Sequence, residues 1–131
     1  MPALDRCQPE VIRALEKQGW TTNGKAKRIY IVPSMLIVMD FEAFKDGAQI
    51  FVETKCFPQA NRSQELHIAF GQYLIYREVL TLMSPTSVLY LAVPHNNADL
   101  TLPVIRATIR NNHVKLIAID LQHEEVIQWI E

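Results

Sequence analysis

Two acidic residues and a lysine carry the chemistry this chain offers: Asp40, and the tripeptide Glu53-Thr54-Lys55 that begins 13 residues later. Between them lies Asp46-Gly47, among the stronger short signals for a tight two-residue hairpin. If those two residues form the loop, positions facing each other across the hairpin sum to 93. Asp40 then faces Glu53, and Val38 faces Lys55. Facing residues point to one side of a sheet, as do residues two apart along a strand. Asp40, Glu53 and Lys55 therefore share a face, with the Cβ atoms of the two acids expected roughly 5 Å apart.

Carboxylates that close repel unless positive charge lies between them. Lys55 supplies part of it, and a divalent cation would supply the rest. Mg²⁺, or Mn²⁺ in its place, suits carboxylate and carbonyl oxygens and keeps several waters. Asp40, Glu53 and the main-chain carbonyl of Thr54 form a candidate metal half-shell of that kind. A metal held there can activate water and offset charge on a phosphate during in-line attack. The Lys55 ammonium could orient the water or neutralise the developing phosphorane. Glu-x-Lys alone is common in solvated strands, where an ion pair adds only about 0–1 kcal/mol. The register across the hairpin is what gives it content.

A second pair supports the first. Gln72 and Tyr76 are four apart, hence on one face of a helix that is otherwise apolar. A buried amide without a partner costs about 1–3 kcal/mol, and an acidic, hydrated or metal-bearing sheet face beside the helix would supply one. The competing reading is a Gln bonded to nearby backbone and a Tyr packed in the core. Glu42, two residues beyond Asp40, is a possible substitute for it.

The elements that must position these side chains follow from periodicity and turn residues. A first helix is expected over 5–18, with Asp5 as N-cap and Gly19 as its stop. Three strands follow: Arg28–Val32, Met35–Phe44 after the Pro33-Ser34 break, and Gln49–Lys55. Ser63 can cap a long second helix to about Met83, apolar on most sides and so expected to be covered on more than one face. Ser87–Val93 is a continuous apolar run that suits a buried strand, and Leu102–Asn111 a third helix. Val114–Asp120 and Val126–Ile130 are expected as an antiparallel pair. The order α-β-β-β-α-β-α-β-β predicts an α/β (α+β) fold, a mixed central sheet flanked by helices.

At 131 residues with 49% apolar and 21% charged side chains, the chain has the size and composition of one globular domain. A net charge of −1 argues against a dedicated nucleic-acid coat but not against a local patch. No run suits a signal peptide or a bilayer span, so a cytoplasmic location without membrane contact is expected. Cys7 and Cys56 lack zinc-type spacing and are expected as two separate thiols in a reducing compartment. His67, His95, His113 and His123 show no metal-ligand spacing.

Phe51-Val52-Glu53-Thr54-Lys55-Cys56-Phe57 resembles the (D/E)XK strand of PD-(D/E)XK nucleases. Met39-Asp40 stands where their Pro-Asp motif would, and Gln72-x-x-x-Tyr76 looks like the QxxxY motif of the RecB-like branch. More narrowly, Met1-Pro2-Ala3, Ala14–Trp20, Phe51–Phe57, His67–Arg77, Val88–Pro94 and Val126–Ile130 resemble XisH, the fdxN element excision controlling factor family of cyanobacteria. This resemblance spans essentially all of residues 1–131. It implies a restriction-endonuclease-like fold, a role near programmed DNA rearrangement, DNA as a partner, and an XisI-like protein as another. In some relatives an acidic residue of the first helix contributes to the metal site, a position Glu10 would fill.

The sequence departs from the family at one point. XisH-type chains tend to place an Asp after an aromatic-aliphatic pair in the first strand, whereas Tyr30-Ile31 is followed here by Val32 and Pro33. Either Asp40 takes the metal-binding role, or the acidic site is incomplete. The first case makes a Mg²⁺-dependent endonuclease-like or DNA-processing factor. The second makes a nuclease-fold interaction module that regulates a recombinase or pairs with an XisI-like protein. The terminal strand Val126–Ile130 is a candidate exposed edge, which also leaves a homodimer open.

Overall fold

The computed structural model of the chain describes residues 7–32, 35–56 and 62–131. Helix α1 (Gln8–Lys17) has Pro in its first turn, where no intrahelical N–H is needed, and buries Val11, Ala14 and Leu15. Gly19, with φ +92°, ends it, as its position in the sequence suggests. Cys7 occupies the cap position. The expected cap Asp5 lies outside the described residues, as do Pro33 and Ser34.

A two-residue strand β1 (Thr21–Thr22) precedes β2 (Lys27–Val32) and β3 (Met35–Met39), which pair as a separate antiparallel ribbon. The chain then bends at Asp40 and enters β4 (Phe41–Lys45). The strand expected over Met35–Phe44 is therefore two strands in two sheets. Asp46 and Gly47 both have positive φ, +50° and +81°, the geometry of a type I′ turn. This turn joins β4 to β5 (Ala48–Thr54) in the expected register, with Phe41 facing Val52 and Ala43 facing Ile50.

Helix α2 (Arg62–Met83) begins one residue before Ser63 and crosses to β6 (Val88–Pro94). A 3-10 turn at Ala98–Thr101 and α3 (Pro103–Asn111) lead to β7 (Leu116–Asp120), and β8 (Glu125–Ile130) returns beside it. The sheet order is β1-β4-β5-β6-β7-β8. Its centre, β5-β6-β7, is parallel and its flanks are antiparallel. The expected mixed α+β sheet with flanking helices is what forms, and β8 stands at one edge as expected.

Residue parity sorts two cores onto the two faces of the sheet. Phe51, Leu89, Leu91, Val93 and Leu116 face α2, α3 and the ribbon's inner residues Ile29 and Ile37. Ile50, Val52, Ala92, Ile117 and Ile119 face α1. Helix α2 buries Leu66, Ala69, Phe70, Tyr73 and Leu80, with Leu74, Tyr76 and Val79 half-buried. Its outer residues Ile68, Ile75, Leu82 and Met83 stay exposed, Leu82 at 84%. The cover is narrower than apolarity alone suggests.

The cysteines correct the sequence expectation. The start of α1 lies over the end of β5, bringing Cys7 and Cys56, 49 apart in sequence, to a Cα separation of 6.0 Å and into a disulfide. Such a loop closure stabilises by up to about 4 kcal/mol in the chain-entropy account. Adding dithiothreitol should therefore lower the thermal midpoint by several degrees, and Cys7→Ser/Cys56→Ser should behave like the reduced protein. An unchanged midpoint would show that the bond contributes nothing.

Candidate acidic site at the end of the hairpin

The β4–β5 ladder stops at Phe41 and Val52, and the next level is bonded through side chains. The Asp40 amide donates to Glu53 Oε1 at 2.9 Å. The Thr54 amide donates to Asp40 Oδ2 at 2.7 Å. Each acid thus accepts a main-chain hydrogen bond from the opposite strand, so the hairpin's pairing continues with carboxylates in place of carbonyls. The pairing of Asp40 with Glu53, deduced from the turn, places the two acids together as expected.

Burial decides what this costs and what it can do. Glu53 is 6% exposed and Thr54 1%, while Asp40 is half-buried. Loss of hydration raises the Asp40 pKa from its ordinary value. The Thr54 amide, the nearby Lys55 charge and a hydrogen bond with the Glu53 carboxyl pull it down by less. Burial thus makes Asp40 easier to protonate than a free carboxyl, at the place where a cation could sit.

Lys55 follows the strand, close enough for its charge to act on Asp40, and its amide donates to the Ala92 carbonyl at 2.9 Å, which fixes the strand end against β6. The Thr54 N–H points to the Asp40 side of β5. In an extended strand the carbonyl of that residue leaves on the same side, so the oxygen proposed from sequence has the right heading.

Helix α2 brings Tyr76 to the acids. Burial raises its pKa, and the charges of Glu53 and then Asp40 raise it further, while a hydrogen bond from the Val38 backbone opposes them. One turn earlier, Gln72 Oε1 is buried with no hydrogen-bond partner, and Thr54 Oγ1 is in the same condition. The expected amide is therefore present with its acceptor unused.

Two further acids are committed elsewhere. Glu10 lies on α1, which packs on the other face of the sheet, and pairs with Arg13 at 3.5 Å. Glu42 accepts from Gln49 Nε2 at 2.7 Å and lies 4.0 Å from Lys27. The structure does not bring either of them together with Asp40 and Glu53. Sequence reasoning missed the Thr54 amide as the donor that fixes Asp40, and no side-chain pattern could have revealed a main-chain contact.

Among the described residues no group of three or more His, Cys, Asp or Glu is placed to hold a metal. The pair still fits Mg²⁺, which is often held by one or two carboxylates and otherwise by water. Nor, among the described residues, is any helix long and apolar enough to cross a membrane.

A mixed α+β domain with paired acids at the end of a hairpin is the class that fold and site define. The chain matches the profile of a family described as XisH protein over residues 1–127, and it belongs to the XisH family. It is similar to the crystal structure of an XisH family protein from Nostoc punctiforme PCC 73102, at 33% identity and a TM-score of 0.83. That similarity covers 94% of this chain and 97% of the other. It is also similar to an fdxN element excision controlling factor protein from Anabaena variabilis, at 33% identity and a TM-score of 0.85, over 95% and 98% of the two chains. No functionally curated protein matches the chain.

The raised Asp40 pKa makes a stability prediction. The folded state binds that proton more tightly than the unfolded chain does. The resulting stability is fully present below the ordinary carboxyl value of 3.8 and is lost as pH rises through the raised value. Asp40→Asn keeps an acceptor for Thr54 and gives Glu53 an amide donor. At pH 7 it should stabilise the protein by about 0.5–2 kcal/mol in urea unfolding. The gain should vanish in acid; a gain that persists unchanged there would contradict the assignment.

Proposed function

We propose that the protein is a divalent-metal-dependent DNA-processing factor of the endonuclease type, acting in excision of a DNA element. The observation that carries this reading is the exchange of hydrogen bonds between Asp40 and the Glu53–Thr54 segment, which fixes two carboxylates beside Lys55. Mg²⁺ or Mn²⁺ would be held by Asp40, Glu53 and the Thr54 carbonyl. When bound, it would supply an activated water and charge stabilisation at a phosphodiester. Lys55 would balance negative charge growing on the phosphate oxygens. Tyr76 and Gln72 would close the α2 side, the Gln72 carbonyl oxygen accepting from a metal-bound water or from Lys55. The QxxxY and (D/E)XK resemblance supports a restriction-endonuclease-like fold, and the related Anabaena protein named as an fdxN element excision controlling factor supports the excision role.

A second reading is an interaction module of the same fold that does not cut and pairs with an XisI-like protein or regulates a recombinase. Val32, where relatives tend to have Asp, favours it, as does the absence of a third metal-ligating side chain among the described residues. A homodimer through the β8 edge is compatible with either reading.

Calorimetric titration with Mg²⁺ and Mn²⁺, paired with DNA cleavage assays, separates them. The metal-dependent reading expects binding that strengthens with pH as Asp40 gives up its proton. It also expects cleavage that falls by about 10²–10³-fold in Glu53→Ala and Lys55→Ala. Failure to bind either ion at millimolar concentration would end it. A stable complex with an XisI-like protein, insensitive to Glu53→Ala, would then favour the second reading.

A further inference from the structure

A cavity of about 640 Å³ opens beneath α3, on the face of the sheet that carries Glu53 and Lys55. Its floor is aliphatic, formed by Val93, Leu116, Ala118 and Ile130 from three adjacent strands with Ile109 above. Its polar rim is cationic: Arg106 and Arg110, four apart on α3, with His95 and His113 beside them. Neither arginine has an ion-pair or hydrogen-bond partner among the described residues. The other arginines with described contacts are committed, Arg13 to Glu10 and Glu124 and Arg77 to the Asn112 and His113 carbonyls. The one carboxylate on the rim, Glu131, is engaged by the Tyr90 hydroxyl.

An apolar floor of this size under two unpaired guanidiniums suits a ligand with a flat, weakly polar body and a compact multivalent anion. Guanidiniums bind phosphate oxygens in forked, charge-assisted pairs, and cavities of roughly 300–1,000 Å³ hold small organic ligands. Position narrows the class further. Thr54 faces Ala92 in the parallel register, so Lys55 stands next to Val93 at the cavity's near wall. Val93 in turn faces Ala118, so at a strand spacing of about 4.8 Å the floor runs from about 5 Å to about 10 Å from Lys55.

We propose that this cavity binds a nucleotide through its phosphate at Arg106 and Arg110 and its base on the aliphatic floor. The nucleotide is the 5′-phosphorylated end of a DNA strand whose next phosphates run past Lys55. That last assignment rests on the reading of the acidic site above; the nucleotide site itself does not.

Binding is measured in EDTA, so that no metal contributes, by fluorescence anisotropy of a short oligodeoxynucleotide labelled at its 3′ end. The wild-type protein should bind the 5′-phosphorylated strand about tenfold more tightly than the unphosphorylated one, and Arg106→Gln and Arg110→Gln should each remove about that factor. Both substitutions are on exposed positions, and circular dichroism verifies the fold. Competition by free dAMP would assign the cavity to the nucleotide alone, and competition only by a phosphorylated strand would assign it to the strand end. Equal affinity with and without the 5′-phosphate, or no effect of the arginine variants, overturns the proposal. If phosphate-dependent binding holds while no cleavage occurs with Mg²⁺ or Mn²⁺, the metal-dependent reading falls and the cavity stands. If cleavage occurs and binding ignores the phosphate, the cavity proposal falls alone.

Discussion

The site depends on two hydrogen bonds that cross the hairpin in opposite senses, Asp40 N–H to the Glu53 carboxylate and Thr54 N–H to the Asp40 carboxylate. Bonds from amides to charged acceptors are shorter and stronger than neutral ones, which offsets part of the cost of burying Glu53 almost completely. They also hold the two carboxyl groups side by side. The cost of burial appears in the raised Asp40 pKa, for which loss of hydration is the largest cause. With only two carboxyl groups assembled among the described residues, the pair suits an ion that keeps most of its waters, as Mg²⁺ does, better than one caged by protein ligands.

The same two bonds explain the path of the chain. A continuous strand through Asp40 would have used its amide in an ordinary ladder instead of donating it to Glu53. Bending at Asp40 lets β3 leave the main sheet and join β2 in a ribbon over α2, while β4 continues beside β5. The ribbon's inner residues Ile29 and Ile37 complete the core on that face. The bend thus covers the helix that carries Gln72 and Tyr76 and leaves the acids at the rim. In open α/β sheets, ligands bind at the carboxyl ends of parallel strands, and Glu53 and Lys55 stand at such an end. The Cys7–Cys56 bond ties down the residue that follows Lys55.

What could be read from the sequence was what local rules specify. Asp46-Gly47 has one favoured turn geometry, so the pairing of Asp40 with Glu53 followed from counting alone. The helical spacing of Gln72 and Tyr76, the buried run of β6 and the edge position of β8 were legible for the same reason. The division of Met35–Phe44 was not, because a lone Asp40 in an otherwise strand-like run is too weak a signal of a break, and the Thr54 amide that bonds it is distant in sequence. The disulfide was hidden because Cys7 and Cys56 meet only after α1 has docked across the far face of the sheet. Breadth of cover on α2 was overestimated because composition does not distinguish Leu80, which is buried, from Leu82, which is not.

Net charge was the least informative of the sequence quantities, and the structure gives the reason. A total of −1 averages over charges that cancel locally and charges that do not. Arg13 with Glu124 and Lys27 with Glu42 neutralise one another and project little field. Asp40 and Glu53 form a concentrated negative site, and Arg106 and Arg110 an uncompensated positive one, on the same face of the sheet. Field at a surface follows uncompensated charge near low-dielectric walls, not the sum over the chain. The acidic pair and the two arginines are a few strands apart, so neither cancels the other locally. Near-neutrality overall is therefore compatible with strong local fields of both signs.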